Sequence, residues 1–157
     1  MGQQQLLLLV LATVIVGLAT VAGIQAFDEN QSQAAQDAIT QRGYNAVSDV
    51  KGLARKPQQQ GGIDLDSESS NTDHSPSGVL NKLGYEEGSN AARFPVAGAP
   101  GNSECSLGFS NNGSGGQHAD IKCQSSEAPQ DVRLRLNPDG SYEVSTSYAD
   151  SYSLNSP

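Results

Sequence analysis

The stretch LLLLVLATVIVGLATVAGI, residues 6–24, runs nineteen positions without a charge. At about 1.5 Å per residue it spans roughly 28 Å as a helix, close to the hydrocarbon thickness of a bilayer. Thr13 and Thr20 can return their hydroxyls to carbonyls one turn back. Gly17 and Gly23 each lower helix propensity by about 1 kcal/mol relative to Ala, so the C-terminal part of the run is expected to be the softer.

Three roles fit such a run. A signal peptide needs a basic n-region, yet no Lys or Arg precedes Arg42; the small residues Ala22, Gly23 and Ala26 still offer a cleavage site. A plain membrane anchor is the second role, with Asp28 and Glu29 on the far side weakly favouring an N-inside orientation. The third follows from the chain beyond the run. Residues 25–56 contain no proline, and Ala35, Ala38, Ile39, Ala46, Val50, Leu53 and Ala54 recur at three- and four-residue steps, the pattern of one buried helical face. Gly43 and Gly52 weaken that helix locally. Arg55 and Lys56 suit its C-terminal dipole and Pro57 cannot continue it. One helix from about Gly2 to about Lys56 is therefore expected, apolar all round at first and amphipathic afterwards.

Farther on, Cys105, Leu107 and Phe109 alternate with polar neighbours, as do Ala119, Ile121 and Cys123, around the turn-rich residues 111–116. Pairing Phe109 with Ala119 sets Cys105 opposite Cys123 at a separation that suits a disulfide, formed in an oxidising exterior. Val132, Leu134 and Leu136 alternate before the turn Asn137, Pro138, Asp139, Gly140, and Tyr142, Val144 and Thr146 alternate after it. Four antiparallel strands need cover on their apolar face, and the stripe from residue 35 to residue 54 supplies it. The expected fold is α+β: a long N-terminal helix on a small antiparallel sheet with one disulfide. The tail from Tyr148, with Tyr152, is expected to extend the sheet edge, to lie on a neighbouring subunit or to be disordered.

The expected parts are an apolar helix at 1–27, its amphipathic continuation at 28–56, an irregular surface loop at 57–103 and the sheet at 104–157. Within the loop, Val79, Leu80, Leu83 and Tyr85 suggest one short helical turn, with Ser77 as a candidate N-cap. Asp64, Asp66 and Glu68 alternate like a calcium loop, but Ser69 stands where Gly is required and Ser75 where a bidentate Glu should close the site, so a solvated acidic loop is expected. His74 and His118 read as exposed loop residues. Asn30 and Asn112 head sequons, and Asn112 is the candidate for glycosylation.

An apolar helix that emerges into an amphipathic one and then into a small β-rich module with two cysteines resembles the type IV pilin family. The resemblance is one of architecture along the whole chain. The family's short basic leader and its early glutamate have no counterpart here: Gln3, Gln4 and Gln5 form the polar head, and no carboxylate precedes Asp28. With Met1 as the mature first residue, Gln5 would supply neutral hydrogen bonding where the family uses charge. The resemblance implies a subunit held in the inner membrane before assembly, passed to a pilus assembly machinery, and polymerised with copies of itself into an extracellular surface filament. Leu7, Val10, Leu11, Val14, Ile15, Leu18 and Val21 are the expected filament-core residues.

The formal charge of -8 leaves no basic footprint for nucleic acid. The sequence carries no nucleophile elbow, P-loop or metal-ligand spacing, so neither catalysis nor a cofactor is expected. A membrane-tethered binding module and a secreted domain starting near Phe27 are the alternatives to a filament subunit. Adhesion or motility is the role expected of such a filament, with DNA uptake and secretion equally open from the sequence.

Overall fold

A computed structural model describes residues 2–65, 75–86, 92–99, 101–111 and 117–148. Helix α1 is a single 53-residue element, Gly2–Ala54, roughly 80 Å long. Gly17 and Gly23 do not interrupt it. Thr13 Oγ1 donates to Val10 O at 2.9 Å and Thr20 Oγ1 to Val16 O at 2.8 Å, so both hydroxyls are satisfied by their own helix. At its end Lys56 N donates to Leu53 O over the shorter 3-10 step at 3.1 Å. Pro57 then lets the chain turn back, and Ile63 N reaches the same Leu53 carbonyl at 3.4 Å.

Among the described residues the sheet has five antiparallel strands in sequential order: β1 (Arg93–Pro95), β2 (Glu104–Asn111), β3 (Gln117–Gln124), β4 (Gln130–Leu136) and β5 (Tyr142–Tyr148). In β2 and β3 Phe109 faces Ala119 and Cys105 faces Cys123. The two cysteines are bonded, with Cα atoms 4.0 Å apart, the close spacing of a non-hydrogen-bonded pair. Strand β1 corrects the reading of 57–103 as an irregular surface loop: this segment pairs Phe94 with Cys105 and sends Ile63, Leu65, Val79, Leu80, Phe94 and Val96 into the core.

Alternation sorts the sheet into two faces. Cys105, Leu107, Ala119, Ile121, Cys123, Val132, Leu134 and Leu136 are all buried and form the inner face. Ala35, Ile39, Gly43, Ala46, Val47, Val50 and Leu53 of α1 cover it, lying over β3 and β4. Gly43 marks the closest approach, since a Cβ there would stand 2.5 Å from Leu134 Cδ1 and 3.5 Å from Cys123 Sγ. Helix α2, Pro76–Leu83, packs beside β2. Its N-cap is Ser75, whose Oγ accepts from Gly78 N at 3.1 Å; this corrects the assignment of Ser77. Pro76 occupies the first helical turn, where its missing N–H costs nothing.

His118 also departs from expectation. It lies on β3 and is buried, on the sheet face away from α1. Residues 66–74, with His74 and the acidic alternation beyond Asp64, lie outside the described residues, as do Asn112, the rest of the connection 112–116, and the tail after Tyr148.

Candidate polymerisation surface

Helix α1 divides by environment. Ala35 is its first buried residue, and from there the helix is cemented to the sheet. Before it, residues 2–31 are exposed on every side. The seven expected core residues, Leu7, Val10, Leu11, Val14, Ile15, Leu18 and Val21, are 50% to 69% exposed, about what an isolated helix leaves uncovered. Leu6, Leu8, Leu9, Val16, Ile24 and Phe27 are exposed as well. The apolar surface is therefore a sleeve around the whole helix and not a stripe along one side. Phe27, 75% exposed, closes the sleeve. It stands outside residues 6–24 because Gln25 interrupts the apolar run, although its position immediately before Asp28, the first charged side chain, is the available signal.

From residue 6 to residue 27 the sleeve measures roughly 33 Å. Gln3, Gln4 and Gln5 precede it, exposed and uncharged. Asp28 and Glu29 follow it. Residues 28–34 then form a polar collar about 10 Å long before the first buried position. Since the collar is helix and not linker, the sheet domain is held at a fixed distance and angle from whatever medium receives the sleeve. In water the sleeve is unstable as it stands. Burying its seven named residues is worth on the order of 10 kcal/mol, at roughly 1.5 kcal/mol or more for each aliphatic side chain.

Charged groups elsewhere hold the domain together. Asp120 of β3 accepts from Arg135 Nε at 2.9 Å, Arg133 Nη2 at 2.9 Å and Ser110 Oγ at 3.0 Å, tying three strands on the outer face. Burial alone would push the Asp120 carboxyl up; the hydrogen bonds from Arg135, Arg133 and Ser110 outweigh it and hold the group below the usual carboxylate range. Tyr85 donates to Asp49 at 2.6 Å while the Arg42 guanidinium lies 4.7 Å from the centre of its ring. Burial first, and then the contact with Asp49, pushes the Tyr85 phenol up to about 12. Tyr85 thereby joins the segment after α2 to α1, and the Arg42 guanidinium also lies 5.4 Å from the centre of the Phe94 ring on β1. Among the described residues no three His, Cys, Asp or Glu side chains gather as metal ligands.

The sheet brings one more surface into view that periodicity did not single out. On β5, Tyr142 and Val144 share the inner-face parity of Leu136 and Leu134, yet they are 50% and 43% exposed, because α1 lies over β3 and β4 and touches the last strand at Tyr142 with the side chains of Tyr44 and Lys51. Tyr44 of α1 meets the Tyr142 ring edge to face at 6.2 Å. Comparison with family models, curated proteins and solved structures gives no match.

Proposed function

We propose that the chain is the structural subunit of an extracellular, pilin-like helical filament, polymerised through the sleeve of α1. The observation that carries this reading is the unbroken helix whose apolar sleeve, roughly 33 Å long, finds no partner among the described residues, while its continuation is locked to the sheet. Lipid satisfies the sleeve before assembly, and identical sleeves satisfy it afterwards once water is excluded. The same architecture, a long apolar N-terminal helix on an antiparallel sheet with a disulfide, fits the pilin pattern. The stiff collar favours a filament over a tethered binding module, because a regular lattice needs every sheet domain at one angle to its helix, whereas a tether gains reach from a flexible linker.

Electron microscopy of fibres sheared from cells expressing the chain tests the proposal, with N-terminal sequencing of the fibre protein. Fibres built of a chain that retains residues 6–24 are expected. Val14→Asp, which places a charge in the sleeve, should abolish fibres and leave the sheet domain's disulfide intact. Recovery of the chain only as a membrane monomer, or as a soluble domain starting near Phe27, would overturn the reading.

A further inference from the structure

The charges along α1 and just past its end fall into two groups. Arg42 lies over the Tyr85 and Phe94 rings, Asp49 accepts from Tyr85, and the Lys51 ammonium stands 5.9 Å from the centre of the Tyr142 ring, so these three serve the fold. Asp28, Glu29 and Asp37 on the sleeve side, and Arg55 and Lys56 at the far end, are exposed. Their side chains enter no hydrogen bond or ion pair among the described residues. The unengaged charges are therefore sorted by sign, carboxylates towards the sleeve and cations at the opposite end.

Their spacing is specific. Arg55 follows Asp28 by 27 residues, about 7.5 turns and roughly 40 Å of α-helix, so the two side chains stand on opposite sides of α1. Burial along the helix agrees. Asp28 lies about five turns before Ala46, which is buried against the sheet. Arg55 lies about five turns after Asp37 and two after Ser48, both exposed on the side away from the sheet. Within one copy the two groups cannot meet. In two parallel copies, one shifted along the axis by that distance, they face each other. The shift also matches the height of the subunit: α1 covers the sheet over residues 35–54, roughly 30 Å, and the collar adds about 10 Å. A copy moved by the sum sets its sheet above its neighbour's, with its collar beside residues 55–65 of that neighbour.

We propose that Asp28 of one copy pairs with Arg55 of a parallel copy displaced by roughly 40 Å along the helix axis, with Glu29 and Lys56 flanking the pair, and that this pairing sets the axial register of the filament. An exposed ion pair is worth at most about 1 kcal/mol, so burial of the sleeve supplies the cohesion and the charges select the stagger. At this shift the sleeve of the upper copy runs beside residues 33–54 of the lower one. The side of that helix turned away from its sheet carries Gln41, Tyr44, Asn45, Ser48 and Gly52, all exposed and uncharged, and one carboxylate, Asp37, at its lower end. The contact joins unlike surfaces, collar to helix end, so it repeats from copy to copy without closing. It rests on the filament reading and names the register of the same polymer.

The test expresses the full chain with Asp28→Cys and Arg55→Cys together, shears fibres from the cells, oxidises them mildly and runs them on a non-reducing gel. Cys105 and Cys123 are bonded to each other and buried, and the two new thiols of one copy are roughly 40 Å apart on one helix, so every new link joins two copies. A ladder of dimers, trimers and longer multimers is expected from the double variant, no link from either single variant, and dimers alone from the two single variants co-expressed. Fibres of the double variant without a ladder overturn the proposal, as do dimers from Asp28→Cys or Arg55→Cys by itself. If the cysteine chain makes no fibres, charge exchange decides: Arg55→Asp should lose the fibres and Asp28→Arg in the same chain should restore them, and failure to restore overturns the pairing. Wild-type cells keep the two readings apart: absence of wild-type fibres sinks the filament, whereas wild-type fibres with an unlinked double variant sink the register alone.

Discussion

At Gly43 a hydrogen atom stands where a methyl group would meet Leu134 Cδ1 at 2.5 Å. Gly52, nine residues on in the same helix, has open space around it. The same substitution should therefore have opposite signs at the two sites. Gly52→Ala should stabilise by about 1 kcal/mol through helix propensity. Gly43→Ala makes the same gain but overpacks a buried contact at about 1–3 kcal/mol, for a net loss. Thermal melts of the two variants in one detergent check the difference. Asp120 sets a pH dependence. Its carboxyl is held low in the fold, so its contribution is complete above the ordinary carboxylate pKa of about 4 and fades as pH falls through the lower folded value. Asp131 is displaced upward, chiefly by burial, so it favours the fold in acid and cannot cause acid unfolding. Asp120→Asn should cost on the order of 1–3 kcal/mol at neutral pH and flatten the acid limb of a stability profile.

Elements differ in how openly their residues announce them. The Cys105 to Cys123 register was legible because Phe109, Leu107, Ala119 and Ile121 alternate strictly, and a slip by one residue would turn all of them out of the core. β1 was not legible: three residues, one of them proline, carry no period, and only pairing with β2 makes them a strand. The cap of α2 was misplaced by two residues, since Ser75 and Ser77 are chemically alike; Pro76, suited to the first turn, was the overlooked sign. Ser75→Ala should loosen α2 alone by about 1 kcal/mol. Amide exchange should then quicken roughly fivefold across Pro76–Leu83 and stay unchanged in β3.

For the molecule as a whole, the disulfide lies under the helix and not on the surface. Cys105 and Cys123 are fully buried, and Gly43 sits directly above. Reductant should reach the bond only when α1 lifts from the sheet, so reduction should track unfolding as denaturant is added. Replacing both cysteines by Ala should cost about 2–5 kcal/mol, read as a lower denaturation midpoint, because a loop with a sequence separation of 18 loses its closure.

By itself the sequence determined the long helix, its two characters, the disulfide pairing and the antiparallel β-rich half, since each rests on local period or on register that burial enforces. It also located the sleeve, because a run of apolar residues without charge is visible in one dimension. Only the tertiary structure decided that the sleeve is exposed around its entire circumference, that Gly43 is a contact and not merely a weak point, and that Tyr142 and Val144 of β5 stay half exposed. Those facts depend on how far α1 reaches across the sheet, and the width a helix covers is set by packing between elements distant in the chain.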